Sequence, residues 1–393
     1  MFNLAPGYAH FNYGHWMPAE PALITTDDAF AAFIARAAKY PRVALDTEAA
    51  SFHRYVDRVY LVQASSDDET AIVDPLAVRD LSALGALLAN PAVEVIFHDA
   101  DYDLRMLDRD YGFRARNVWD TRIAAQLAGE KAFGLGSLLE KYYGLKLSKA
   151  YQRADWSERP LTEGMLAYAA ADTTHLPGLR DLLADRLTGL GRLAWAQEEF
   201  VRLESLRWSV PNDEDPALRL KGAKLLKGPQ LAVLKTVWQW RDDTARALDR
   251  ATFRVLSNEA ILGLAKTQPT DEAGLRAAGV PAPIARRSGT DLLGAVRQGL
   301  AMPRAEWPTW ERQRRAKDEP VVDERFARLK ALRATRSTAV DLDPGQVCPN
   351  GTLLAIARAA PTSAADLDVI PDLRSWQREV MGDAAMLAAV TGP

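Results

Sequence analysis

The second half of this chain repeats itself. Val255-Leu-Ser-Asn258-Glu-Ala-Ile-Leu262-Gly-Leu264-Ala is echoed by Val347-Cys-Pro-Asn350-Gly-Thr-Leu-Leu354-Ala-Ile356-Ala at an offset of 92 residues. The same offset pairs Arg241, Ala247 and Asp249 with Arg333, Ala339 and Asp341, and Pro269, Thr270 and Leu275 with Pro361, Thr362 and Leu367. Leu293-Gly-Ala-Val296 matches Leu387-Ala-Ala-Val390 at 94. Proline, asparagine and apolar positions held in phase over this distance mean two copies of one small module, each of roughly 75–85 residues and large enough to fold alone. Both copies carry helical apolar spacing and almost no strand signal, so the C-terminal half is expected to be two all-α domains.

The first half reads differently. Apolar residues at Phe30, Phe33, Ile34 and Ala37 mark a helix over 27–39. Short runs rich in β-branched residues follow at 43–46, 59–63, 70–73 and 93–97, with a helical stretch at 81–88 before the last of them. The first three connect closely enough for an antiparallel meander. Helical patterns then dominate, at 102–109, 121–127, 135–143 and from 162 onward. The stretch Val-Pro-Asn-Asp-Glu-Asp-Pro over 210–216 has the composition of a linker. The expected organisation is an irregular lead-in over 1–22, an α/β domain over 23–208, a linker over 209–217, a first helical domain over 218–302 and a second over 318–393.

Charge separates the halves. Residues 1–200 carry 20 Lys and Arg against 28 Asp and Glu, a balance of −8, whereas residues 215–320 carry 19 against 12, or +7. The acidic part suits cation binding and the basic part suits a polyanion. Lys221, Lys224, Lys227, Arg250, Arg254, Arg286 and Arg287 are the candidates for phosphate contact. With Cys348 as the single cysteine, an internal disulfide and a cysteine-rich zinc site are both excluded. No apolar run approaches the ~18 residues of a membrane span, and the N-terminal segment lacks the basic and apolar parts of a signal peptide, so a cytoplasmic protein is expected. No G-x-x-x-x-G-K-[ST] occurs, which removes a nucleotide-driven motor. The Gly134-Leu-Gly136 pair lacks the third glycine of a dinucleotide fingerprint. No nucleotide or organic cofactor is expected.

Three acidic clusters carry the chemistry. Asp46 and Glu48 close the apolar run Val43-Ala-Leu45, and alternation along a strand puts both carboxylates on one face. Two acids at the end of a buried strand repel each other unless a cation or proton sits between them. His98-Asp99-Ala-Asp101-Tyr-Asp103 follows the run 93–97, where a helix begins. Asp99 suits an N-cap, Asp103 is placed to turn inward, and Asp101 stays open. Tyr168 and Asp172, at i and i+4, share one face of a helix whose three intervening alanines permit close approach of another element. Carboxylates are ligands for hard cations such as Mg²⁺ and Mn²⁺. Four of them from three segments can hold two ions ~3.5–4 Å apart, the arrangement that attacks phosphodiesters in line. Tyr168, with an ordinary pKa near ~10, suits orienting a water better than deprotonating it.

In this order the residues resemble the tyrosine-containing subgroup of the DEDD superfamily of 3′→5′ exonucleases: Asp46-x-Glu48, then Asp103, then Tyr168-x-x-x-Asp172. Val43-Ala-Leu-Asp-Thr-Glu48, Ile72-Val-Asp-Pro-Leu76, Phe97-His-Asp-Ala-Asp-Tyr-Asp-Leu104, Trp119-Asp-Thr-Arg-Ile-Ala-Ala125 and Asp155-Trp-Ser-Glu-Arg-Pro-Leu161 extend the likeness, most closely toward the bacterial ribonuclease D family. The basic repeat, centred on Phe253-Arg-Val-Leu-Ser-Asn258, resembles an HRDC domain, and two such modules behind a nuclease is that family's layout. The resemblance implies a ribonuclease H-like fold, metal ligation by Asp46, Glu48, Asp103 and Asp172, Tyr168 beside the nucleophilic water, and structural or supporting roles for His98 and Asp120. It implies trimming of RNA 3′ ends, tRNA precursors among them, with release of nucleoside 5′-monophosphates and no obligate protein partner. A DNA exonuclease and a binding protein with a decayed site are the competing readings. Two departures stand out: Ala49-Ala50 replaces the family's bulky residue after the glutamate, and the second repeat is poor in Lys and Arg.

Overall fold

The computed structural model describes residues 21–209, 215–309 and 319–392. Most of the expected lead-in and linker therefore lies outside the described residues.

The first domain is a six-stranded mixed sheet with helices around it. Its elements are β1 (Ala22–Ile24), α1 (Asp27–Ala37), β2 (Arg42–Ala49), β3 (Val59–Ser65), β4 (Thr70–Val73), α2 (Ser82–Ala89), β5 (Glu94–Phe97), α3 (Asp101–Tyr111), β6 (Val118–Asp120), α4 (Thr121–Leu127), α5 (Leu135–Tyr143), α6 (Glu163–Thr174), α7 (Leu176–Gly189) and α8 (Leu193–Glu204). The strand order is β1-β4-β3-β2-β5-β6. β2, β3 and β4 form the expected antiparallel meander, while β5 and β6 run parallel beside β2. β1 straddles the expected boundary between lead-in and α/β domain, and three residues are too few to show a period. The helical pattern from residue 162 is two helices, divided at His175.

Hydroxyls seat α6 on the sheet. Ser65 Oγ lies 2.8 Å from Thr70 Oγ1 and 2.7 Å from Thr173 Oγ1, and Thr70 Oγ1 lies 3.3 Å from Thr174 Oγ1. Ala169 and Ala170 are buried against Leu61 and Ile72, so the small residues let the helix backbone approach the strands closely. This pairing fixes where Tyr168 and Asp172 stand relative to β2.

The repeat is visible in matched side-chain bonds and backbone turns. The first helical domain contains α9 (Pro229–Ala247), α10 (Thr252–Val255), α11 (Asn258–Thr267), α12 (Glu272–Ala277) and α13 (Ala282–Ala301). The second contains α14 (Pro320–Ala339), α15 (Pro344–Val347), α16 (Asn350–Ala359), α17 (Ala364–Asp368), α18 (Ser375–Met381) and α19 (Asp383–Thr391). Arg241 is buried and donates from Nη1 to the Leu256 carbonyl at 3.2 Å; its counterpart Arg333 donates to the Cys348 carbonyl at 2.5 Å. Asp249 and Asp341 take left-handed backbone with φ of 44° and 52°, and Gln268 and Ala360 end α11 and α16 with φ of 51° and 49°.

The copies differ in what they pack against. The first has its own core, built on Leu234, Val237, Ile261, Leu264 and Leu292. The core of the second is continuous with the nuclease-side helices α4, α5, α7 and α8. Trp376 stacks on Trp195 with ring centroids 5.4 Å apart and donates from Nε1 to Glu199 at 2.8 Å. Arg374 meets Glu199 at 2.9 Å. The repeat poor in basic residues is thus a structural partner of the α/β domain.

Candidate active site

Asp46 and Glu48 leave β2 on the same face, opposite Gln63 and Leu61 of β3. The register then shifts between Glu48 and Ala49, a bulge that ends regular pairing next to the acids. Asp172 comes down from α6. One carboxylate oxygen from each of Asp46, Glu48 and Asp172 falls within 4.8 Å of the others.

Asp103 stands beside this trio as a fourth acid. Its Oδ1 accepts from the backbone nitrogen of Thr47 at 3.0 Å and from Thr47 Oγ1 at 2.5 Å, tying α3 to β2 between the two strand acids. The register left open at the second cluster is settled by position. Asp101 is exposed and paired with Arg105 at 2.8 Å. The expected capping role of Asp99 is a correction: Asp99 has φ 73° and pairs with Arg122, and the residue before α3 is Ala100. Asp120 does that capping instead. Its carboxylate accepts from the nitrogens of Asp99 and Ala100 ahead of α3, at 3.3 and 2.8 Å, and from those of Arg122 and Ile123 at the start of α4. His98 Nδ1 is 2.9 Å from Thr121 Oγ1, and burial depresses its pKa to about 4, so the ring is neutral.

Burial above all, and for Asp46, Glu48 and Asp172 the charge of neighbouring acids, opposes ionisation of the four carboxylates. Burial, then repulsion from Asp172 and Asp103, raises Glu48 to about 9. Burial and the neighbouring carboxylates raise Asp46 well above the usual range. Burial, then the charge of Asp103, lifts Asp172 to about 7. Burial lifts Asp103 to about 7 although Thr47 donates to it. Among the described residues, no Lys or Arg pairs with any of the four. Gln63, on the face of Asp46, is fully buried with both side-chain polar atoms unpartnered. An all-oxygen donor set with surplus negative charge and no counter-charge fits a hard divalent cation.

Above the acids lies an open cleft of about 690 Å³. Tyr168, Tyr102, His98 and Gly134–Ser137 line it, together with Lys146, Ser148, Lys149 and Gln152. Tyr168 leans on Trp156 and Tyr151, at centroid distances of 6.0 and 6.1 Å, and its hydroxyl has no hydrogen-bond partner among the described residues. Burial and the nearby acids raise its pKa. Thr47 and the two cleft lysines escape a reading based on carboxylates alone. The signal for the lysines is Lys146-Leu-Ser-Lys149 directly after the helix-ending Gly144.

The seven basic candidates lie on the first helical domain and are all exposed. Lys221, Lys224, Lys227, Arg250, Arg286 and Arg287 form no ion pair among the described residues. Arg254 donates from Nε to the carbonyl of Phe52, so its guanidinium also joins the two domains.

Comparison with known proteins agrees with this architecture. Residues 21–188 match the 3′-5′ exonuclease family, and residues 230–296 and 322–390 each match the HRDC domain. The class is therefore a 3′→5′ exonuclease carrying two HRDC domains. The chain is 34% identical to the ribonuclease D of Gluconacetobacter diazotrophicus, over 93% of this chain and 92% of that one. It is 32% identical to that of Granulibacter bethesdensis, with the same two shares covered. The crystal structure of Escherichia coli RNase D, described as an exoribonuclease involved in structured RNA processing, superposes with a TM-score of 0.69 at 27% identity, covering 93% of this chain and 98% of that one. The chain belongs to the ribonuclease D family and is an exoribonuclease. No helix among the described residues is long and apolar enough to cross a membrane.

Proposed function

We propose that this chain is a metal-dependent 3′→5′ exoribonuclease that trims the 3′ ends of structured RNAs such as tRNA precursors and releases nucleoside 5′-monophosphates. The observation that carries the reading is the cluster of Asp46, Glu48 and Asp172 within 4.8 Å, with Asp103 pinned beside it and no Lys or Arg among the described residues paired with any of the four. Asp46, Glu48, Asp103 and Asp172 are the residues that would hold two Mg²⁺ or Mn²⁺ ions. When bound, such ions lower the pKa of water and neutralise the charge that builds on phosphate and leaving oxygen in an in-line displacement.

The protein's own groups supply the rest. Thr47 keeps Asp103 oriented and favours its ionised form. The Tyr168 hydroxyl keeps its proton, because burial and the adjacent acids oppose ionisation. It orients the attacking water as a hydrogen-bond partner and does not act as the base. Lys146 and Lys149 meet the RNA backbone at the cleft, and neutral His98 adds no charge of its own. Attack by water forms a new phosphorus–oxygen bond and breaks the bond between phosphorus and the 3′ oxygen of the preceding nucleotide; the proton of the attacking water passes to solvent, and the leaving oxygen takes one from solvent to depart as a hydroxyl. The exposed Lys221, Lys224, Lys227, Arg250, Arg286 and Arg287 give the first HRDC domain a polyanion-binding surface that gains affinity by counterion release.

The test uses matched RNA and DNA oligonucleotides labelled at the 5′ end, with and without Mg²⁺ or Mn²⁺. Stepwise shortening of RNA that needs the metal and disappears in Asp172→Asn is the expected result. Digestion that survives chelation, or in Asp172→Asn, overturns the assignment.

A further inference from the structure

The first HRDC domain meets the nuclease domain at the loop that follows Glu48. The Ala251 nitrogen donates to the His53 carbonyl at 3.0 Å. Tyr55 donates from its hydroxyl to Asp242 at 2.9 Å and accepts there from Arg246 at 3.0 Å, while its backbone nitrogen donates to Asp249 at 3.3 Å. Arg254 on the Phe52 carbonyl and Arg54 paired with Asp249 at 3.7 Å add to these polar contacts. None of them accounts for the two phenylalanines of the seam.

Phe52 of the nuclease loop and Phe253 of α10 stand edge to face across the seam, with centroids 6.0 Å apart. They remain 42% and 47% exposed, although a joint between two domains is where apolar rings would ordinarily be covered. The Arg153 guanidinium lies over the Phe52 ring at 5.1 Å, and Arg250, exposed and without an ion pair among the described residues, sits three residues before Phe253. A short run of chain links the patch to the cleft. Lys149 and Gln152 line the cleft, Arg153 is the next residue, and its carbonyl is fastened to His53 Nε2 at 2.8 Å. Cations and half-exposed rings thus stand between the cleft and the first helical domain.

We infer that this seam is a binding site for single-stranded RNA upstream of the nucleotide being removed, with Phe52 and Phe253 stacking bases and Arg153 and Arg250 meeting phosphates. The inference rests on the exoribonuclease reading. A single strand is the occupant because it alone combines closely spaced negative charge with unpaired bases free to stack on aromatic side chains. The seam assigns the first HRDC domain a direct part in holding the strand that the cleft shortens.

The full-length protein is tested in EDTA by fluorescence anisotropy, using a single-stranded RNA of about ten nucleotides, within the span such platforms cover, and a trinucleotide confined to the cleft. Phe253→Ala weakens binding of the longer RNA at least about fivefold more than that of the trinucleotide, the low end of what one stacked base contributes. Phe253→Tyr, which keeps the ring, restores the difference, and Phe253→Leu, which keeps only bulk, does not. 2-Aminopurine placed upstream of the 3′ end is quenched on binding wild type and less so on binding Phe253→Ala. Equal losses on both RNAs, or equal quenching in wild type and variant, overturn the site. Failure of wild type to shorten RNA in the presence of metal would instead strike the exoribonuclease reading itself.

Discussion

Asp46→Asn should abolish digestion and, without metal, make the protein more stable. The reason is repulsion. Asp46, Glu48 and Asp172 lie within 4.8 Å, and two full charges at that separation cost about 3 kcal/mol at an effective dielectric of ~20. Part of that cost is avoided in the wild type by retained protons, so removing one charge at pH 8 is worth about 1–3 kcal/mol. For a domain of this size the gain is roughly 2–12 °C in melting temperature. The pH dependence follows from the direction of the shifts. Glu48 at about 9 and Asp172 at about 7 bind protons more tightly folded than unfolded. Their contribution is therefore present at low pH and is lost as pH rises through the folded values. At pH 5 wild type and variant should melt alike; at pH 8 in EDTA the variant should melt higher. Mg²⁺ should raise the melting temperature of wild type at pH 8 by linkage and leave the variant nearly unmoved. Differential scanning calorimetry at both pH values, with EDTA and with Mg²⁺, measures all of this. A variant that melts below wild type at pH 8 in EDTA, or gains as much from Mg²⁺, refutes the reasoning.

Thr47→Val removes a donor to ionised Asp103 that is worth about 1.5–3 kcal/mol, so Asp103 moves further above about 7. The pH–rate profile should shift up by about 1–2 units, and an unmoved profile contradicts the role given to Thr47. Tyr168→Phe should lower kcat by about tenfold or more, at least 1.4 kcal/mol of barrier, while RNA affinity measured in EDTA stays the same; an unchanged kcat removes its water-orienting role. Trp376→Ala deletes the stack on Trp195 and the bond to Glu199 and should cost about 3–5 kcal/mol. Urea denaturation should show that loss, and a stability within error of wild type would mean the second HRDC domain is not integral to the fold.

The acids were legible because strand alternation and helical i, i+4 spacing fix side-chain direction locally. Asp46 shares a face with Glu48, and Tyr168 with Asp172, for that reason; that Asp172 then meets the strand acids depends on the seating of α6 on the sheet by Ser65, Thr70, Thr173 and Thr174. The second cluster was less legible. Asp99, Asp101 and Asp103 occupy one short stretch, and their roles diverge only because Arg122, Arg105 and Thr47 reach them from elsewhere. Capping by Asp120 depends on a strand end some twenty residues away that passes in front of α3. The three residues of β1 and the break at His175 carry no periodic signal. The internal repeat exposed the duplication but not its asymmetry. That the copy with fewer Lys and Arg fuses with α4, α5, α7 and α8 is a matter of surface complementarity, which composition only hints at.

That fusion bears on how the chain is made. Trp376 and Glu199, which join across the shared core, are 177 residues apart. At ~5–20 residues per second, a ribosome needs roughly 10–35 s to deliver the second partner after the first. Through that interval the nascent nuclease waits with the apolar flank of α7 and α8 uncovered, and chaperones have their longest window there. A message truncated before the last repeat yields a polypeptide that holds every acid of the cleft yet leaves this flank bare, prone to clump or to be degraded.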